Sequence, residues 1–567
     1  MSTIALPPGY ESKVTAAHVH DLAGRWNLTI NTEEQEASYL LLLQSADAVF
    51  RDFESADDYI HPRLQPVATK EAREFWKPTE AQNPNNAWSH RCSLKAASPE
   101  SCILQGRKVA IKDNICVGGL PTTLGTFAHM VSDNGQYPVS LIDATVVRRV
   151  LEAGGIIAGT ATCENYSAAP ISCTAATGAV HNAWARGFTC GGSSSGCGCL
   201  LGMNAVDPGQ TLSSFGDRTD MTIGGDQGGS VRIPASYNGV YGLKPTYGLI
   251  PYTGAITLTP MVDHLGPMAN NLRDMALLLE ALAGYDGLDT RMGPESPLRG
   301  NVPSYSSILD SAEVEVRSPT AGAKPLRVGV LKEGFEILGL SDDVKESVLA
   351  AKEAFIAAGA QVIDVSVPMH HQGPALWTVS TRAQMKDWAC AGQMTGSLSF
   401  NASHFQLRFP PDQTMYDLLS ATNPSIMNLM FSSEYLKEAF GPELAAKAHR
   451  KIFELREAYD AALQQVDVLI MPTTPTVAMP HPTLEDMMAK VKVAIGIVSN
   501  TCGFNVTGHP AMSVPCGFSR VVSGGSEKKL PVGMQIVASR FDEAAILKAA
   551  AAFEYGRKQA DAVAPRL

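Results

Sequence analysis

The chain has 567 residues, of which 45% are apolar and 18% charged, and its net charge is −11. This composition is globular and excludes collagen-like, heptad-repeat and disordered chains. The basic residues are scattered, which leaves no electrostatic footprint for nucleic acid or an anionic membrane surface; the expected partner is a small molecule.

The opening residues Met1–Val14 carry prolines, Glu11 and Lys13 but no apolar leader core, and no stretch approaches about eighteen consecutive apolar residues. A cytoplasmic protein with no membrane partner is expected. Eleven cysteines lack zinc-type spacing, and thirteen histidines form no HExxH motif. A metal is therefore not expected.

From Thr32 to Pro66 the spacing of Tyr39–Leu43, Ala48, Val49 and Phe53 predicts helix. This N-terminal helical segment, set at residues 1–85, reads either as a packing extension of the main domain or as the interface of a homodimer. Polar and Asn/Pro residues over Glu80–Pro99 read as a linker into a catalytic domain spanning 86–567.

Lys108–Ile111 reads as a short buried strand ending on Lys112-Asp113-Asn114. Asp143 is placed to cap a helix whose Val146, Val147, Val150 and Leu151 share a face. Gly154-Gly155 stop it, and Ile156–Thr160 returns as a strand. The pattern recurs as strand Leu326–Leu331, helix Asp342–Ala358, stop Gly359 and strand Gln361–Val367. A glycine/serine-rich stretch covers Cys190–Ser236, Ser296–Lys324 reads as a loop, and about 300–460 is less patterned, most of all over Met369–Pro442. An α/β fold with helices covering a sheet follows.

Two glycine-rich serine clusters carry the chemistry: GGSSSG at Gly191–Gly196 and GGDQGGSVRIPAS at Gly224–Ser236. Glycines beside serine let the backbone turn sharply and aim successive N–H groups into one space, as an oxyanion hole requires. Gln227, Gly228, Gly229 and Ser230 are the candidate donors. A phosphate loop would need Lys and then Ser/Thr, where Val231 and Arg232 stand instead.

Gly192, Ser194 and Gly196 also satisfy G-x-S-x-G, which with Asp467 and His481 or His509 would make a Ser-His-Asp esterase. The competing arrangement uses both loops: Ser230 attacks a carbonyl, Ser193 takes its proton, and a neutral Lys112 accepts that proton in turn. Such acyl-transfer chemistry needs no cofactor. Burial at the end of Val109–Ile111 would lower the lysine pKa as required. The bland alternative for Lys112 is an ion pair with Asp113 or another carboxylate.

At these residues the chain resembles the amidase signature family, in which a strand ends in Lys-Asp-Asn and GGSSGG and GGS-[IV]-R-x-P segments follow. Further matching runs are YGLKPTYGLIPYTG at Tyr241–Gly254, DHLGPMA at Asp263–Ala269, DVLIMPTTP at Asp467–Pro475, TGHPAMSVP at Thr507–Pro515 and LPVGMQIVA at Leu530–Ala538. The resemblance implies a large mixed sheet covered by helices on both sides. It also implies Ser230 as nucleophile, Ser193 as a bridging serine after a cis peptide at Gly192, Lys112 as final base, and Asp226 and Arg232 as loop braces. Within the family the motifs are most similar to nitrile-pathway amidases and urethanases, which implies a small amide or carbamate as substrate. A more distant resemblance is to the amide-cleaving component of tRNA amidotransferases.

Two departures stand out. Ser195 occupies a family glycine position, and Ser193 and Ser230 lie 37 positions apart, where about two dozen is usual. The surplus near Asn204–Asp220 reads as an inserted surface loop that caps or narrows the substrate channel. Glu164–Cys173 and Ala375–Met394 are candidate pocket walls.

Overall fold

The computed structural model describes residues 6, 9–319, 322, 324–393, 403–483 and 486–563. The chain divides into two compact units, Met1–His61 and Pro62–Leu567, so residues 62–85 lie with the larger one. The first unit pairs the helices Ala16–Gly24 and Glu33–Glu54. Thr32 caps the second, accepting from the Gln35 N–H at 3.1 Å, and that helix ends eight residues before Pro62.

In the second unit the described strands are β1 (Phe75–Trp76), β2 (Trp88–Lys95), β3 (Lys108–Lys112), β4 (Ile156–Ala161), β5 (Met221–Asp226), β6 (Tyr241–Lys244), β7 (His264–Ala269), β8 (Arg327–Leu331), β9 (Gln361–Val365), β10 (Val468–Pro472), β11 (Ala511–Ser523) and β12 (Ser526–Val537). They form one sheet in the order β1-β2-β4-β3-β5-β7-β6-β11-β12-β10-β8-β9. The sheet is mixed. β3 runs parallel to β4 and β5, and β8 runs parallel to β9 and β10, while the pairs at β2/β4, β5/β7 and β11/β12 are antiparallel. Both predicted β-α-β units are present, through the helices Thr145–Glu152 and Asp342–Ala357.

Side chains alternate across β3, and this places the site. Val109 and Ile111 pack with Val146, Val147, Val150 and Leu151, whereas Ala110 packs with Leu200, Leu201 and Ala235. Helices therefore cover both faces here, and Lys112, two residues after Ala110, points to the face that carries helix Ser195–Val206.

Several local expectations are corrected. Glu80–Pro99 is not a linker, since it holds β2. Its Arg91 is paired rather than solvated: the guanidinium lies 4.4 Å from the Trp88 ring centroid and bonds the Asp217 carboxylate. Asp143 does not cap its helix, whose N-cap position is Ala144. Instead its carboxylate accepts from Arg73 Nη2 (2.6 Å), Gly118 N (2.8 Å) and Val67 N (2.8 Å), pinning the segment that precedes β1.

Ser296–Lys324 contains helix Tyr305–Arg317, whose buried Tyr305, Leu309 and Ala312 keep helical spacing among interspersed serines. The less patterned Met369–Pro442 is largely helical, including Gly373–Met385, Gln413–Thr422 and the start of Pro424–Gln465, which breaks at Gly441 (φ 63°).

The insertion is also corrected. Asp220 accepts from Lys108 N at 2.8 Å, and its own N–H donates to Lys108 O. Met221 then pairs with Val109. The loop therefore sits where β3 and β5 begin, with the strands' lengths between it and Lys112, and cannot cap a channel at their far ends. The Asp207–Arg218 ion pair (2.8 Å) closes it on itself.

Candidate active site

β3 and β5 deliver their C-terminal ends to the same place. Lys112 Nζ donates to Ser193 Oγ at 2.8 Å and to the Gly225 carbonyl at 3.3 Å. Both Lys112 and Ser193 are fully buried. Burial lowers the lysine pKa below its ordinary value, opposed by the negative forms of Cys163, Cys197, Asp226 and Glu164. Among the described residues Lys112 has no ion pair, which removes the structural alternative. Asp113 is engaged elsewhere, with Thr123 Oγ1 donating to its carboxylate, and burial pushes its carboxyl up to about 7.

The Gly192–Ser193 peptide is cis. A Cβ on Gly192 would lie 2.4 Å from Ala169 O and 2.6 Å from Ile171 O, so only glycine fits. Ser193 is the serine that meets the lysine. Ser194 is occupied with the backbone of β5, its Oγ donating to Gly225 O (3.1 Å) and accepting from Gly225 N (3.3 Å). The esterase arrangement is not assembled: Asp467 pairs with Arg327, His509 pairs with Asp460, and among the described residues no histidine bonds Ser194.

Ser230 follows β5 by four residues and is half-buried. Its hydroxyl makes no hydrogen bond among the described residues, to Ser193 or to any other group. The loop that carries it is braced from below. Asp226 accepts from Gly229 N (2.8 Å), Val231 N (3.1 Å), Arg232 Nε (3.0 Å) and Asn505 Nδ2 (2.8 Å). Arg232 also reaches Thr501 O, Gln535 Oε1 and Asn505 Oδ1 at 2.7–2.9 Å. Burial alone would raise the Asp226 carboxyl, but the guanidinium beside it and these bonds hold it well below the usual carboxylate range.

This bracing corrects one expectation. Gly229 is not a free oxyanion donor, because a carboxylate already takes its N–H. The N–H groups of Gln227, Gly228 and Ser230 have no acceptor among the described residues and remain available.

Asn505, Thr501 and Gln535 are braces that sequence reasoning missed; they come from distant segments and carry no local signal. Trp377 lies inside a stretch expected to form pocket wall. Its indole N–H donates to Gln227 O at 2.7 Å, and its ring lies 3.2 Å from where a Gly228 Cβ would stand. Met394, at the end of that stretch, lies outside the described residues. Glu164, the start of the other stretch, is buried beneath Ser193 rather than lining open space.

A cavity of about 330 Å³ lies nearby, lined by Ile256, Thr257, Trp388, Phe405 and Leu407 among others. Neither the serines nor Lys112 line it. It is joined to the site through Ile256, whose N–H bonds Asn114 O (2.8 Å) and whose carbonyl accepts from Tyr252 Oη (3.1 Å), which in turn accepts from Gln227 Nε2 (3.0 Å).

A buried amine on a serine, beside a glycine loop with unused N–H groups, is the chemistry of an acyl-transferring serine hydrolase. Comparison with known proteins makes the class specific. The amidase family model matches residues 79–547. An enantioselective amidase of Rhodococcus rhodochrous is 34% identical over 506 residues, 88% of each chain. A component of the glutamyl-tRNA(Gln) amidotransferase of Synechococcus is 31% identical, covering 82% of this chain and 85% of its own. The crystal structure of a peptide amidase from Stenotrophomonas maltophilia superposes with a TM-score of 0.57 at 25% identity, covering 80% and 82%. The chain belongs to the amidase signature family and is a hydrolase of carbon–nitrogen amide bonds other than peptide bonds. No helix among the described residues is long and apolar enough to cross a membrane.

Proposed function

We propose that the protein hydrolyses small carboxylic amides to carboxylate and ammonia through an acyl-enzyme on Ser230. The observation that carries this reading is the 2.8 Å Lys112–Ser193 contact beside an unengaged Ser230 hydroxyl. Ser230 Oγ forms the C–O bond while its proton passes to Ser193 and from Ser193 to neutral Lys112. The N–H groups of Gln227, Gly228 and Ser230 receive the oxyanion. Collapse breaks the C–N bond, and the nitrogen takes a proton from Ser193 and leaves as ammonia. Water then attacks the ester by the same relay and releases the carboxylate.

A carbamate ester such as ethyl carbamate presents the same carbonyl to Ser230, and a urethanase is the alternative reading. The amidotransferase relative supports a second reading, as one component of a complex that needs a partner. The test is ammonia release by the purified chain from a panel of aliphatic amides, aryl amides and ethyl carbamate. Turnover of an amide by the chain alone is expected. Activity only with a partner, glutamine and tRNA would overturn it.

A further inference from the structure

The serine that departs from the family glycine has a partner. Ser195 Oγ donates to Glu164 Oε1 at 2.6 Å, and the other carboxylate oxygen accepts from Thr174 N (2.7 Å) and Thr174 Oγ1 (2.6 Å). The Glu164 N–H donates to Ser193 O at 3.0 Å, and its Cγ lies 2.9 Å from where a Gly192 Cβ would stand. One residue thus holds the bridging loop at Ser193 by its backbone and at Ser195 by its side chain. Glu164, Ser193 and Ser195 are all fully buried.

We propose that Glu164, anchored by Ser195, is a positioning residue for the Lys112–Ser193 pair, holding the bridging loop so that Ser193 stays under the lysine. This rests on the reading of Lys112 as the base. A carboxylate accepting three hydrogen bonds is favoured as the anion, although burial pushes its carboxyl up to about 6.

The experiment is the pH dependence of kcat and KM for wild type, Glu164→Gln, Ser195→Gly and Lys112→Met. For Glu164→Gln kcat is expected down about tenfold at its optimum, with KM within about twofold. Ser195→Gly is expected to lower kcat by less, and it decides the test if Glu164→Gln does not fold. A kcat within about twofold of wild type in the folded variants, or a KM that rises as much as kcat falls, would overturn the proposal. Wild-type turnover in Lys112→Met would instead overturn the underlying reading of the base, a result that the Glu164 variants alone could not produce.

Discussion

Replacing Arg232 with methionine tests the brace under the Ser230 loop. The guanidinium makes five hydrogen bonds, two of them to Asp226, and neither side chain of the pair has any exposure. Methionine fills similar volume but strands the Asp226 carboxylate, and breaking a buried pair in this way costs about 3–5 kcal/mol. The loss falls toward the lower figure because Gly229 N, Val231 N and Asn505 Nδ2 still donate to the anion. It also grows with pH. Without Arg232 the carboxyl pKa rises, so the variant is least destabilised where Asp226 can protonate.

The assay is urea unfolding followed by tryptophan fluorescence, comparing midpoints at unchanged m. The double variant Arg232→Met/Asp226→Asn orphans no charge and should recover part of the loss, the rest remaining because the amide nitrogen cannot accept from the N–H groups that faced the second carboxylate oxygen. A single variant within about 1 kcal/mol of wild type, or a double variant no better than the single, would refute the reasoning.

On the proposed relay, Lys112→Met should lower amide turnover by about 10⁴-fold or more, measured as ammonia release, as loss of a catalytic-triad member does in serine hydrolases. Its stability has a definite pH sign. The folded lysine pKa is depressed, so the unfolded chain binds the extra proton between the two values. The wild type is therefore penalised relative to methionine below the folded pKa, and the penalty vanishes above the ordinary lysine value, as parallel urea titrations would show. Gly192→Ala places a methyl against two carbonyl oxygens and should yield inactive or insoluble protein; an active, soluble variant would contradict the packing. Replacing Ser213-Ser214-Phe215 by glycines alters the insertion where the strands begin, so kcat/KM should stay within about twofold, whereas a large change in substrate preference would restore a capping role.

The fold was legible where apolar periodicity is strong. The β3 and β8 units could be read because Val109/Ile111 and Val146/Val150 alternate at the strand and helix periods. Lys112 could be placed because an apolar strand ended on it, and Ser230 because its glycines serve no ordinary loop. What was hidden depends on pairing between distant polar groups. β2 looks like a linker until Arg91 meets Trp88 and Asp217, and Asp143 looks like a cap until Arg73 arrives. Gly229 looks like an oxyanion donor because the sequence does not show that Asp226, three residues earlier, folds back to take its N–H. Trp377, Thr501 and Asn505 reach the loop from more than a hundred positions away and have no period to betray them.

The most direct measurement is labelling of the protein with an organophosphonate followed by peptide mapping. Ser230 is the half-buried serine with an unengaged hydroxyl beside unused N–H donors, so the phosphonyl group is predicted on Ser230 alone, with no labelling in Ser230→Ala. A tag on Ser194, or undiminished labelling of Ser230→Ala, would contradict the account.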